Sequence, residues 1–169
     1  MLFIRTLIFT LIGPGSITVI IPYFLLSSSI NFPLETGRFR LLGIVVILLG
    51  ALIYFWCAWD FARSGRGTPA PWDPPQMLVS RRLYRKVRNP IFIGMTLVLV
   101  GEAIVFQSGA LLTYAALVWV GFHLRVVYFE EPTLRRKFGA AYERYCETVP
   151  RWIPGNQHSI TTRTNAEKQ

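Results

Sequence analysis

Apolar residues occur in four long blocks along the chain, separated by short polar stretches. The blocks cover about residues 2–26, 39–61, 90–106 and 110–129. About 20 apolar residues are needed to cross the hydrocarbon core of a bilayer as a helix. The pattern therefore predicts an all-α integral membrane protein with four transmembrane helices. The Gly13-Pro14-Gly15 sequence predicts a kink in the first of them.

The loops between the blocks predict how the helices are oriented. Residues 63–88 carry seven basic residues against one acid, whereas the turn at Gln107 carries no charge. Positively charged loops remain on the cytoplasmic side. This bias places both termini in the cytoplasm, although Arg38 and Arg40 in the first loop oppose it mildly. The short connection at Gln107 predicts that the third and fourth helices form an antiparallel hairpin.

The chain is expected to leave the membrane after Phe129. Pro132 suits the first position of a new helix, and apolar residues recur at helical spacing beyond it. The pattern predicts an amphipathic cytoplasmic helix over residues 132–147, packed on the membrane surface. Residues 1–154 are predicted to form a single domain, and the polar residues 155–169 a disordered tail.

Charge and rare residues narrow the function classes. The net charge of +9 comes mainly from basic residues that flank apolar blocks, as anionic lipid headgroups and the positive-inside rule produce. The basic stretches contain no nucleic-acid recognition motif, so nucleic-acid binding is not expected. The positions of Cys57 and Cys146 indicate no disulfide framework, and His123 and His158 cannot form a conventional metal site alone.

Two polar features are predicted to lie at the same depth in the membrane. Asn89-Pro90 opens the third helix, where free backbone N–H groups and the positive end of the helix dipole favour an anion. The fourth helix returns to Glu130-Glu131, whose carboxylates favour a cation. Together the two ends would suit a zwitterionic amino-acid group. Ordinary helix capping, or neutralisation of nearby arginines by the glutamates, explains the same residues equally simply.

Two groups of residues resemble the signatures of a known superfamily. The first comprises Gln76-Met77-Leu78-Val79, Leu83-Tyr84-Arg85 and Val87-Arg88-Asn89-Pro90-Ile91-Phe92-Ile93-Gly94. The second comprises Glu130-Glu131, Leu134, Phe138-Gly139, Tyr142, Tyr145 and Val149-Pro150-Arg151. Their order and spacing, over about residues 65–154, resemble the isoprenylcysteine carboxyl methyltransferase and phospholipid methyltransferase superfamily of membrane enzymes. Residues 67–75 resemble bacterial members in particular, which implies the bacterial inner membrane.

The resemblance implies S-adenosylmethionine-dependent methyl transfer to a lipidic or hydrophobic acceptor, with no metal. The residues that it assigns to the cofactor are Gln76, Met77, Leu78, Val79, Tyr84, Asn89, Pro90, Ile91, Phe92 and Glu130, with Glu130 expected to hold the cofactor's amino group. Asn89 stands where eukaryotic relatives have His, and Phe92 stands where Tyr is usual.

The catalytic residues that we expect are Arg125 and Glu131. The family's substrate-contacting arginine, four residues before the glutamate, would fall at Val126, and the adjacent Arg125 is the candidate to replace it. Glu131 is a candidate base for an amine acceptor. The acceptor itself stays open between a carboxylate, a phospholipid amine and a small thiol. A non-enzymatic membrane assembly or transporter subunit is the alternative outside enzymes, and the roles of Glu102 and His123 are also open.

Overall fold

The computed structural model describes residues 10, 12–34, 37–64 and 82–154. Throughout these residues the regular structure is helical and contains no strand, apart from one isolated antiparallel bridge between Pro33 and Ser108. The predicted all-α class is confirmed for this part of the chain. Residues 2–9 of the first block, the cofactor candidates Gln76 to Val79, and the tail at 155–169 lie outside the described residues.

Six helices follow each other along the described residues. Their bounds are α1 Ile12–Ser27, α2 Arg40–Ser64, α3 Pro90–Val105, α4 Gly109–Arg125, α5 Glu131–Phe138 and α6 Ala140–Thr148. Short 3-10 turns at Gly37–Phe39 and Arg82–Arg85 precede α2 and α3. The bounds of α2, α3 and α4 agree closely with the apolar blocks, and the few residues between α3 and α4 form the predicted hairpin.

In the part of the chain that the structure describes, two stretches of helix are long and apolar enough to cross a membrane. They are Gly37–Asp60, with 24 residues, and Gly109–Phe138, with 30 residues. At about 1.5 Å per residue, the second is about 45 Å long and exceeds a hydrocarbon core of about 30 Å. It is therefore longer than a membrane crossing requires, and its last turns, from Glu130 onward, are the charged ones. α1 and α3 are shorter apolar helices.

Glycines bring α2 and α3 into close backbone contact. Gly43 and Gly50 on α2 face Gly101 and Gly94 on the antiparallel α3. A Cβ atom at Gly50 would lie 2.6 Å from the carbonyl oxygen of Gly94, and one at Gly43 would lie 2.7 Å from that of Gly101. Small residues let membrane helices approach this closely. The two glycine pairs, each seven residues apart on its helix, fix the register of α3 on α2.

Two π-helical turns interrupt the α-helical pattern, at Ser16–Ile20 and Val126–Glu130. Each is followed two residues later by a proline, Pro22 in the first case and Pro132 in the second. A proline ring clashes with the carbonyl four residues before it in a regular α-helix. The wider turn relieves this clash without ending the helix. The interruption in α1 thus follows the predicted kink at residues 13–15, which are themselves regular helix.

The segment after α4 differs from the prediction in one respect. Helical structure continues past Phe129, because the π-helical turn connects α4 directly to α5. The predicted single helix over residues 132–147 is two helices, α5 and α6, separated at Gly139. Gly139 has φ +50°, a backbone conformation that side chains disfavour, and it ends α5 there.

Candidate functional site

The hairpin of α3 and α4 brings the start of one helix to the end of the other. Nη1 of Arg88, just before α3, lies 3.1 Å from Oε1 of Glu131 at the start of α5. The two sequence features, about forty residues apart in the chain, are therefore in direct contact. The prediction that the hairpin joins the Asn89 and Glu130 regions is confirmed by this ion pair.

Glu131 is the buried centre of a cluster of charges. It is 4% exposed, and besides Arg88 it binds the Arg151 guanidinium in a bidentate pair, with Nε–Oε1 at 2.7 Å and Nη2–Oε2 at 3.0 Å. Burial by itself would raise the pKa of this carboxyl, but the hydrogen bonds and charges of the arginines hold it below its ordinary value. Glu131 is therefore ionised and fully engaged, and the pKa of Arg151 is raised by the same pair.

Glu130 has a different environment from its neighbour. It is partly exposed, and among the described residues its one ion pair is between its Oε1 atom and Nε of Arg125, at 2.9 Å. Arg125 lies five residues before Glu130, a spacing that a regular α-helix would turn by about 140°. The π-helical turn between them adds one residue and returns Arg125 to the Glu130 side. Val126, at the position where the family's arginine would fall, is 1% exposed and points into the core.

The start of α3 has no side-chain cap, although a preferred capping residue precedes it. Asn89 is buried, and its side chain makes no capping hydrogen bond to the first turn of α3. Its Nδ2 atom donates instead to the carbonyl of Arg151, at 3.3 Å. Pro90 is the first helical residue, as predicted. The backbone N–H groups at the start of a helix have no intrahelical partner. These groups, and the positive end of the helix dipole, favour a negatively charged group at this position.

Tyr84 lies in the 3-10 turn before α3. Its ring is buried, and its carbonyl accepts a hydrogen bond of 2.6 Å from the hydroxyl of Tyr145 on α6. Burial raises the pKa of the Tyr84 hydroxyl well above its ordinary value, and the neighbouring Cys57 and Tyr145 add to the effect. The hydroxyl is therefore neutral at physiological pH and retains its proton as a hydrogen-bond donor.

The first turn of α3 is built into an apolar cluster. Phe92 stacks on Phe122 of α4, with ring centroids 4.6 Å apart and an interplanar angle of 29°. Ile91 and Phe92 pack against the buried residues Tyr54 and Met95 as well. One face of the Phe92 ring is thus already covered, and the cluster fixes the height of α3 against α2 and α4.

Sequence reasoning missed the parts that Arg88 and Arg151 have in this region. Both arginines belong to the quoted signatures, but nothing in the sequence shows that they share one carboxylate. Asp60 is 6% exposed at the end of α2 and pairs with Arg82 at 3.1 Å. Glu102, whose role was open, lies in the last turns of α3, at the opposite end from Asn89. Among the described residues, no group of three or more His, Cys, Asp and Glu side chains could hold a metal ion.

A comparison with protein families identifies the chain. The profile of the phospholipid methyltransferase family matches residues 39–141, which is more than half of the sequence. The chain belongs to the phospholipid methyltransferase family. The matched region runs from the start of α2 into α6 and contains both Asn89 and Glu130, so the resemblance seen in the sequence is confirmed. A search of curated proteins found no significant match.

Membership of the phospholipid methyltransferase family makes the chain a membrane methyltransferase. Two helices of suitable length agree with association with a membrane. The match ends at residue 141, before Tyr145 and Arg151. The contacts of these two residues therefore rest on the structure of this chain and not on the family match.

Proposed function

We propose that this protein transfers a methyl group from S-adenosylmethionine to a lipidic acceptor at the cytoplasmic surface of the membrane, in the manner of an isoprenylcysteine carboxyl methyltransferase. One observation carries the proposal. The start of α3, which has no side-chain cap, and the partly exposed Glu130 flank the ion pair of Arg88 with Glu131. An anion site and a cation site thus stand next to each other where the family signatures meet.

These residues fit the amino-acid end of the cofactor, which carries one carboxylate and one ammonium group. The unpartnered N–H groups and the dipole at the start of α3 favour a carboxylate. Of the two glutamates, Glu130 suits the ammonium, because it is partly exposed and has only one oxygen in an ion pair. Both oxygens of Glu131 are already bound by arginines. The sequence-based assignment of Glu130 is therefore kept.

When bound, S-adenosylmethionine supplies a methyl group that is already activated on a sulfonium. The chain mainly needs to hold donor and acceptor in line. Arg125 faces the same side as Glu130 and is our candidate for an anionic part of the acceptor. Glu131, ionised and paired with two arginines, is best suited to positioning them. Its predicted role as a base for an amine acceptor stays a prediction.

The surface around the site suits an acceptor that arrives from the bilayer. Leu124, Tyr128 and Phe129 near the end of α4 are exposed apolar side chains. We propose that α1 and α3 cross the membrane together with the two longer helices, and that residues 63–88 and both termini face the cytoplasm. The bacterial inner membrane is the proposed location, from the resemblance of residues 67–75.

A phospholipid amine is the second candidate acceptor, and the description of the matched family favours it. Incubation of the purified protein with membrane extract and S-adenosylmethionine labelled in its methyl group separates the candidates. Label in phospholipid supports N-methylation, label in protein supports a carboxyl or thiol of a lipidated protein, and a volatile labelled product supports a small thiol. No labelled product in any fraction would contradict methyl transfer to these acceptors.

The cofactor site is tested by Glu130→Ala. We expect this variant to lose S-adenosylmethionine binding, measured by titration calorimetry in detergent, while its thermal midpoint changes little, since partly exposed ion pairs contribute at most about 1 kcal/mol. Glu143→Ala is the matched control, because Glu143 also forms an exposed ion pair, with Arg135 at 3.1 Å. Unchanged binding in Glu130→Ala would reject the assignment.

A further inference from the structure

The segment after α6 returns to the candidate site and binds three other parts of the chain. The carbonyl of Pro150 accepts the backbone N–H of Arg88 at 2.9 Å. The carbonyl of Arg151 accepts Nδ2 of Asn89 at 3.3 Å, and the Arg151 guanidinium binds Glu131. We call residues 149–152 the strap. Through Arg151 it connects the start of α3 to the start of α5. The Arg151 carbonyl bonds to Asn89, and the Arg151 guanidinium bonds to Glu131.

The next residue, Trp152, anchors the strap on α4. Its Nε1 atom donates to Nδ1 of His123 at 3.1 Å, and its ring lies 4.4 Å from the ring of Trp119, centroid to centroid. Trp119 and His123 are four residues apart and share one face of α4. An indole N–H can only donate, so Nδ1 of His123 is the acceptor. The contact therefore requires a donor at Trp152 and an acceptor at His123, which apolar packing alone would not require.

The strap explains why α3 has no side-chain cap. Asn is among the best capping residues because its side-chain oxygen can accept N–H groups of the first helical turn. Asn89 makes no such bond here, and its amide is bound to the strap instead. The Asn89 backbone has ψ 54°, outside the extended region that capping residues usually adopt. If the strap moved away, the Asn89 backbone would be free to turn to that region and its side chain to cap α3. The N–H groups proposed for the cofactor carboxylate would then be occupied.

We propose that Trp152 and His123 are positioning residues that, through the strap, hold Asn89 away from the start of α3 and so keep the cofactor site open. This inference rests on the proposed cofactor site. It predicts an unusual combination of effects. Loss of the Trp152–His123 hydrogen bond weakens cofactor binding without a matching loss of stability, because the newly formed cap stabilises α3.

The test compares variants that remove or retain the hydrogen bond. Trp152→Phe retains a ring against Trp119 but has no N–H, and His123→Leu has no acceptor. His123→Gln retains an acceptor oxygen. With S-adenosylmethionine as the titrant in calorimetry, we expect about a tenfold higher Kd for Trp152→Phe and for His123→Leu, and a change of about twofold or less for His123→Gln.

Two further variants separate positioning from a structural effect. The double variant Trp152→Phe/His123→Leu should bind no more weakly than either single variant, because both remove one bond. In an Asn89→Ala background, Trp152→Phe should have no further effect on Kd, since no cap can form. Should Trp152→Phe fail to fold, the pair His123→Leu and His123→Gln tests the same bond.

The outcomes distinguish the inference from the function on which it rests. No binding to the wild-type protein would overturn the proposed function, and the inference with it. Normal binding in the wild type and in both Trp152→Phe and His123→Leu would overturn the inference alone. It would also be overturned if His123→Gln bound as weakly as His123→Leu, or if Trp152→Phe weakened binding equally in the Asn89→Ala background.

Discussion

The glycine contacts between α2 and α3 predict a large effect for a single added methyl group. Gly94→Ala would place a Cβ atom 2.8 Å from the carbonyl oxygen of Gly50 and 2.9 Å from the backbone nitrogen of Tyr54. Ordinary contacts of a Cβ begin at 3.4 Å, so the added atom is about 0.5 to 0.6 Å too close to these two atoms of α2. The obstacles are backbone atoms, which no rotamer change can move, and the helices must separate.

The cost follows from the size of this separation. A gap of about 0.5 to 1 Å forfeits a quarter to a half of the dispersion energy of the atoms on either side. Overpacking in a well-packed interior typically costs about 1 to 3 kcal/mol. We expect the cost of Gly94→Ala to fall in the upper half of this range, because both obstructing atoms belong to the main chain of α2. The same reasoning applies to Gly101→Ala, whose Cβ atom would lie 2.7 Å from the carbonyl oxygen of Gly43.

The position of each glycine predicts a further difference. Gly94 lies one turn from the start of α3, whereas Gly101 lies near its other end. Both alanine variants should lower the thermal midpoint in detergent, but Gly94→Ala should also weaken S-adenosylmethionine binding more, because it displaces Asn89. Gly121→Ala is the matched control, since a Cβ there meets nothing within 4 Å. A midpoint for Gly94→Ala equal to that of Gly121→Ala would refute the close-contact reasoning.

Two further predictions concern buried polar groups outside the glycine contacts. Glu131→Gln should lower the free energy of unfolding by about 3 kcal/mol, because it leaves Arg88 and Arg151 without their shared carboxylate. Because the pKa of Glu131 is lowered in the folded protein, its stabilisation is present above the unfolded value of 4.5 and is lost as pH falls below it. Denaturation measured against pH should therefore show a smaller loss of stability in acid for the variant than for the wild type. Ser108→Ala should cost about 1 to 2 kcal/mol in the same assay, because the buried Ser108 hydroxyl caps α4 at 3.1 Å. Thr113→Ala, which removes an exposed hydroxyl bonded only to its own helix, should cost little, and equal losses in the two variants would contradict the capping role.

The sequence predicted the parts of this structure that depend on hydrophobic pattern and chain length. Long apolar blocks predicted the helices α2, α3 and α4. The short turn at Gln107 predicted the hairpin of α3 and α4. The meeting of Asn89 with the Glu130 region then followed from geometry alone, because two antiparallel helices of similar length must return to the same level. The ion pair of Arg88 with Glu131 confirms that step.

The strap could not be predicted in this way. Its contacts join Arg151 to Asn89 and Glu131, and Trp152 to His123, across 20 to 62 positions in the chain. No periodicity links such residues, because each contact depends on where a long side chain or a single carbonyl lies after the helices have packed. The break at Gly139 is a different case. Glycine is a common helix terminator, and the signal was available in the sequence but was outweighed by apolar spacing.

The different environments of Glu130 and Glu131 show how one proline sets the geometry of this site. Adjacent helical residues point about 100° apart, so only one of two neighbouring glutamates can face the arginines between the helices. Pro132 widens the preceding turn, and the backbone N–H of Glu131 reaches back five residues, to the carbonyl of Val126. This extra residue turns Arg125 toward Glu130 and leaves Glu131 pointing inward. The informative motif is therefore Glu-Glu-Pro, because the proline decides which glutamate is buried in ion pairs and which remains accessible.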